Sequence, residues 1–253
     1  YDYHGLLKYN SHHVHTFIPR KILVMDELAK NMLINDGLPE NIIAITGQPH
    51  FDTIIEKYKR AVKYQYNDSE IRILFVSEPK SIDGEYEYWG VNEKTIFQSY
   101  YHVIEKIVKN TNKKFHIIIR PHPRESKNNW NAIIETYKNK QIKLSINDFD
   151  DSFTLIKNVA VVCGIASMLL IEAIFCNVPT ISCLIGLQQE SPFVFDKIGI
   201  YRSCRNEDEL YKQLWAFIIQ GSKMHISVEL TKNATQKTID YIQEDFSYGS
   251  SSN

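Results

Sequence analysis

Two rhythms alternate along this chain. Short unbroken apolar runs mark strands, and longer stretches with an apolar residue every three or four positions mark amphipathic helices. From residue 71 onward the strand candidates are "IRILFVS" (71–77), "KFHIIIR" (114–120), "QIKLSI" (141–146), "VAVVCG" (159–164) and "PTISCLI" (179–185). The helix candidates are "NEKTIFQSYYHVIEKIVKN" (92–110), "NNWNAIIETYKNK" (128–140), "DDSFTLIKN" (150–158), "ASMLLIEAIFCN" (166–177) and "NEDELYKQLWAFIIQG" (206–221). Asn92 suits the first helix as N-cap, and Asn206 with Glu209 forms a capping pattern for the last. Such alternation predicts an α/β fold with a Rossmann-like, doubly wound parallel sheet. The wholly apolar run at 71–77 fits a strand covered on both faces.

The first 70 residues repeat the alternation on a smaller scale. "KILVMD" (21–26) and "NIIAITG" (41–47) are strand candidates, and the helix between them is stopped by Gly37. "QPHFDTIIEKYKRAVKY" (48–64) turns through Pro49 into a helix, and the polar "QYNDSE" (65–70) is the linker candidate. A last amphipathic helix is expected over 227–245, before the polar tail "SYGSSSN".

Composition narrows the function classes. The formal charge is −1, from 29 Lys and Arg against 30 Asp and Glu, so no whole-protein field draws nucleic acid or an anionic membrane. Affinity for an anion must come from a local site. Cys163, Cys176, Cys183 and Cys204 sit in or beside apolar runs with no CxxC pair, as buried reduced thiols of a cytoplasmic protein would. No apolar run reaches the roughly 18 residues of a membrane span. His4, His12, His13 and His15 cluster near the start, but no helical pattern there supports a metal site. "DFDD" (148–151) has acidic letters yet precedes a short helix, so no metal is assigned.

In a doubly wound sheet, ligands bind beyond the carboxyl ends of the strands, at the point where strand order reverses. Four loops leave such ends. The first, "SEPKSIDGEYEYWG" (77–90), carries Ser77, Glu78, Lys80, Ser81, Asp83 and Glu85, and is either a functional loop or a solvated excursion. The second is "RPHPRE" (120–125). Pro121 and Pro123 hold His122 on stiff extended backbone, where its imidazole, with Arg120 and Arg124, can meet a phosphate. The competing reading is structural ion pairing of those cations with Glu125. The third is "GIASMLLIEA" (164–173). Gly164 permits a sharp turn, and Ile165, Ala166 and Ser167 open a helix whose N-terminus favours an anion. Glu172, in the second turn, can accept ribose hydroxyls. Its bland alternative is a carboxylate in solvent beside a plain Ser167 N-cap. The fourth loop, 184–200, either offers Gln188, Gln189, Glu190 and Ser191 to a sugar or base or simply samples solvent.

These residues carry a resemblance. "PRKILVMDELAKNMLINDGLPENIIAITGQPHFD" (19–52) resembles the domain-crossing segment of GT-B-fold glycosyltransferases. "IRPHPRE" is similar to the His-Pro element of bacterial surface-polysaccharide transferases, sialyltransferase-like and CDP-glycerol glycerophosphotransferase-like enzymes among them. "GIASMLLIEAIFCNVPTIS" (164–182) is similar to their Ser…Glu-Ala…Pro-Thr element.

The resemblance covers residues 20–220. It implies that residues 1–48 end an acceptor-side domain, most of it outside these 253 residues. Residues 49–70 would then be the crossing and linker, 71–225 the nucleotide-sugar domain, and 226–253 a terminal helix and tail. It further implies a CMP-, UDP- or CDP-linked donor, a glycan or lipid-linked acceptor, and no required cofactor. The expected place is the cytoplasm, with peripheral membrane association through a missing N-terminal region. His122 would stabilise the leaving phosphate; Arg120, Arg124, Gly164, Ile165, Ala166, Ser167, Glu172, Ser77, Lys80 and Gln188 would bind the donor. Asp83 and Glu85 are the fallback base candidates. A sugar-nucleotide epimerase and a non-catalytic nucleotide-binding half-domain are the alternatives.

Overall fold

The computed structural model describes residues 19–65, 70–81, 86–224, 226 and 233–250. It divides into two compact units, one of residues 1–56 with 228–253 and one of residues 57–227.

The smaller unit is built on a parallel pair, β1 (Ile22–Val24) and β2 (Ile43–Ile45), with helix α1 (Glu27–Asn35) between them in sequence. Asp26 caps α1 by accepting the Ala29 N–H at 2.8 Å. The helix stops where the sequence predicts: Gly37 takes a φ of +94°, and the Leu38 N–H returns to the Leu33 carbonyl. Helix α2 (Pro49–Arg60) starts in this unit and ends in the other, so the division falls inside a helix. The C-terminal helix, Ala234–Ser250, also belongs here. The Asp52 carboxylate accepts the Ala234 and Thr235 N–H groups at 3.1 and 2.7 Å, which anchors that helix start. Residues 227–232 of the expected last helix lie outside the described residues.

The larger unit holds five parallel strands: β3 (Glu70–Val76), β4 (Lys114–Arg120), β5 (Ile142–Ile146), β6 (Val161–Gly164) and β7 (Thr180–Ser182). Their order is β5-β4-β3-β6-β7. The chain builds outward from β3 to β4 and β5, then returns to β3's other side for β6 and β7. That reversal is the switch point of a doubly wound sheet, and β3 lies in the middle of it. The connecting helices are α3 (Tyr86–Trp89), α4 (Glu93–Thr111), α5 (Lys127–Thr136), α6 (Ser152–Lys157), α7 (Met168–Phe175), α8 (Val194–Lys197) and α9 (Glu207–Ile218).

The core explains the apolar runs. Ile73, Phe75, Phe115, Ile117, Ile119, Val161 and Cys163 are buried against α4, whose Ile96, Phe97, Tyr100, Val103, Ile104 and Ile107 form one apolar face. Phe97 meets Phe75 and Trp130 edge-on, with ring centroids 5.1 and 5.4 Å apart. Burying each such side chain stabilises the fold by roughly 1.5–3 kcal/mol. All four cysteines are buried free thiols.

The caps follow the sequence with one difference. Asn92 forms a full capping box with Thr95. Asn206 accepts the Glu209 N–H, but the Glu209 carboxylate takes the Arg205 N–H at 2.7 Å instead of closing the box. The chain past α2 is tied down sooner than its polarity suggests. The Lys157 ammonium donates to the Tyr58, Lys59 and Ala61 carbonyls, and Asn158 holds both Val62 and Tyr64.

Candidate functional site

Since all five strands are parallel, their carboxyl ends open on one edge of the sheet. Val76 lies level with Arg120 of β4, and Phe75 with Cys163 of β6. The corner after β4 and the turn after β6 therefore flank the end of β3, one strand away on either side, about 10 Å apart in all.

The corner is held by a carboxylate. Glu125 accepts the His122 backbone N–H at 2.6 Å, the Ser77 hydroxyl at 2.7 Å and the Trp130 indole N–H at 3.1 Å. Ser77 and Trp130 are each only 1% exposed, so this carboxylate satisfies two polar groups that water barely reaches. The competing reading, ion pairing of Glu125 with the arginines, is not among the interactions it makes here; its hydrogen-bond partners are neutral donors. The Arg124 N–H donates to His122 Nδ1 at 3.2 Å. An accepting Nδ1 leaves the proton on Nε2, so the ring presents a donor edge.

The turn after β6 needs glycine for space. A Cβ on Gly164 would stand 2.9 Å from the Val76 carbonyl oxygen, so only glycine lets β6 approach β3 this closely. Its φ lies outside the left-handed region, so what glycine supplies there is space rather than an unusual backbone angle. A buried chain of hydroxyls supports the turn: Ser203 donates to Ser182, and Ser182 donates to the Ile165 carbonyl at 2.6 Å. Ser167 is the N-cap of α7, accepting the Leu169 N–H, so the helix starts at Met168 rather than at 166.

The sequence did not single out the residue that joins these two features. Glu78 follows Ser77 directly, and the pair reaches in opposite directions. Ser77 bonds Glu125 on the β4 side, while the Glu78 carboxylate accepts the Ala166 N–H at the mouth of α7. Burial pushes the Glu78 carboxyl above its ordinary range. The Ala166 N–H, Lys80 and the Ser167 N–H pull it back, and the negative charge of Glu125 adds to the rise. Glu78's position after a strand was legible; its partner 88 residues later was not.

The other candidates are placed as follows. Arg120 leans toward the outer strand β5, where Nη1 donates to the Asn147 carbonyl at 3.2 Å. Arg124 is exposed, and Glu172 is of intermediate exposure in the second turn of α7. Lys80 lies over the Trp89 ring at 5.1 Å. The Gln188 N–H donates to the Trp89 carbonyl, and the side chain crowds Gly90, so the loops after β3 and β7 join. Ser77 is buried with its hydroxyl committed to Glu125. Asp83 and Glu85 lie outside the described residues. In "DFDD", Asp148 pairs with Lys127, Asp150 with Asn147 and Tyr64, and Asp151 caps α6.

The sheet order and its helices define a fold class: a Rossmann-like, doubly wound α/β half-domain of the GT-B type. Among solved structures, the chain resembles the UDP-GlcNAc 2-epimerase of Methanocaldococcus jannaschii in complex with UDP-GlcNAc and UDP. That likeness has a TM-score of 0.62 and 19% identity, over 89% of this chain and 61% of that one. The UDP-GlcNAc 2-epimerase of Neisseria meningitidis bound to UDP-GlcNAc gives 0.61 and 12% identity, over 89% and 62%. That of Rickettsia bellii gives 0.58 and 14%, over 91% and 60%. The chain thus spans about three fifths of each of these proteins, and at such identities the likeness establishes the fold. No protein-family model and no curated protein matches the sequence. No helix among the described residues is long and apolar enough to cross a membrane.

Proposed function

We propose that residues 57–227 bind a nucleotide-activated sugar for a GT-B-type glycosyltransferase, which passes the sugar or a polyol phosphate to an acceptor hydroxyl. The observation that carries this reading is the convergence of the His122 corner and the α7 N-terminus on the two sides of β3, at the switch point. A diphosphate spans such a gap. His122 Nε2 donates from one side, and the Ala166 and Ser167 N–H groups donate from the other, stabilising charge on the departing phosphate. Glu172 takes the ribose hydroxyls, and the joined loops bearing Lys80 and Gln188 wall the sugar side. The acceptor, a glycan or a lipid-linked saccharide, docks on the domain these residues do not contain.

One observation favours a second reading. Glu78 and Glu125 place two carboxylates beside this corner, close enough for one to raise the other. Paired acid and base are what a sugar-nucleotide epimerase needs, and the epimerases cited above share the fold. Deuterium uptake into the sugar from heavy water supports epimerisation. A product requiring added acceptor supports transfer.

The test is a thermal-shift screen with UDP, CDP, CMP and GDP, repeated on His122→Ala. A bound ligand raises the melting temperature by mass action. UDP is expected to stabilise the protein, and His122→Ala to weaken that binding about ten- to a hundredfold, the loss of one charge-assisted hydrogen bond. If no nucleotide stabilises the chain, the donor-site reading fails. If His122→Ala responds like the parent, the role of the corner is wrong.

A further inference from the structure

The geometry points to Glu78 as a built-in competitor for the phosphate site, a side chain that the diphosphate must displace to bind. The inference rests on the nucleotide-sugar reading and extends it to how that site admits its ligand.

Of the two N–H groups assigned to the phosphate, that of Ala166 is already taken. Ala166 donates to the Glu78 carboxylate, and Ser167 also bears on it. A carboxylate and a phosphate oxygen seek the same thing at a helix N-terminus: unpaired N–H donors and the positive dipole end. Both cannot have it. Glu78 is thus an internal stand-in for the anion.

Three features make that seat reversible. Desolvation is the largest influence on the carboxyl and works against its charged form. Glu125 lies near enough to repel it, and Glu125 itself is fixed by Ser77, His122 and Trp130. Lys80, the cation facing Glu78, sits on the same loop two residues on and can follow the carboxylate outward. Among the described residues, Lys80 and Glu125 are the charged groups bearing on Glu78, from the β3 and β4 loops; α7 contributes backbone N–H groups. A released Glu78 gains water, and the incoming diphosphate gains both donors. The wild-type affinity is therefore lower than the preformed site would permit, by the fraction of molecules whose site is open.

The experiment is calorimetric titration of the 253-residue chain with UDP and, separately, with pyrophosphate, on wild type, Glu78→Ala and Glu78→Gln. Glu78→Ala is expected to bind both probes about tenfold tighter, because one charge-assisted contact no longer competes. Glu78→Gln, which keeps an accepting oxygen but no charge, is expected to fall between. Melting temperatures confirm that each variant is folded; should the alanine variant fail to fold, the glutamine variant carries the comparison. Amide NMR supplies a readout that mere loop support would not move. UDP and the Glu78→Ala substitution should each shift the Ala166 amide resonance. Equal or weaker binding by both variants, with UDP still binding wild type, overturns the competitor role and leaves the nucleotide site standing. Absence of binding in wild type and variants alike overturns both.

Discussion

Removing the Glu125 carboxylate should unsettle the core and the corner together, because one side chain serves both. Glu125→Ala deprives the Ser77 hydroxyl and the Trp130 indole N–H of their acceptor, and each of those residues is 1% exposed. An orphaned buried donor costs about 1–3 kcal/mol, so two of them amount to about 2–6 kcal/mol. The His122 N–H is left out of this sum because its residue is only half-buried. With a urea slope of about 2 kcal/mol/M, the unfolding midpoint should fall by about 1–3 M.

The assay is urea denaturation followed by circular dichroism and tryptophan fluorescence. Glu125→Gln, which keeps an acceptor oxygen, should lose about 1 kcal/mol, the worth of the charge on these bonds. Ser77→Ala removes one of the orphans in advance, so Glu125→Ala should cost about 1 kcal/mol less in that background. A midpoint shift below about 0.5 M for Glu125→Ala, or strict additivity with Ser77→Ala, would refute the reasoning. Either result means that water reaches these donors.

Further outcomes concern pH, packing and thiol access. His116 is 5% exposed, contacts Ser145 Oγ through Nε2 at 2.7 Å, and is held down to a pKa of about 4 by burial, then by Arg72 and Lys143. Its unfolded pKa is near 6.5, so the unfolded chain binds the proton first. Stability on the order of 3 kcal/mol is present above about pH 6.5 and lost as pH falls toward 4, and His116→Gln should flatten that slope in urea titrations. Gly164→Ala drives a methyl to within 2.9 Å of the Val76 carbonyl, and should lower stability by about 1–3 kcal/mol while weakening the proposed UDP binding. Binding that survives unchanged would separate β6 from the site. The four thiols should resist a thiol reagent until denaturant is added, since all are buried and burial pushes Cys176 and Cys183 up to about 12. Prompt reaction of any one of them would contradict the packing.

Local chemistry made much of this protein readable from its residues. An apolar run bounded by charge is enough to mark β4, which spans the predicted Lys114–Arg120 residue for residue. Asn92, Gly37 and Asn206 end or begin helices as their side chains dictate, within a few residues of themselves. Alternation of strand and helix implies a parallel sheet, and a parallel sheet implies an active edge, so the loops worth inspecting were legible too.

What the chain order could not express is which groups meet across that edge. In sequence Glu125 is at most a competing partner for Arg120 or Arg124, and only the fold brings Ser77 and Trp130 to it. Gly164 reads as a turn until the Val76 carbonyl arrives beside it. Glu78 looks like an ordinary loop carboxylate, and its seat on α7 exists only because β6 docks against β3. Hydrogen bonds and charges act over a few ångströms of space, and contacts between residues dozens of positions apart leave no local signature. The residues at the strand ends were therefore written in the sequence, and their contacts were decided by the sheet order that brings β4 and β6 to either side of β3.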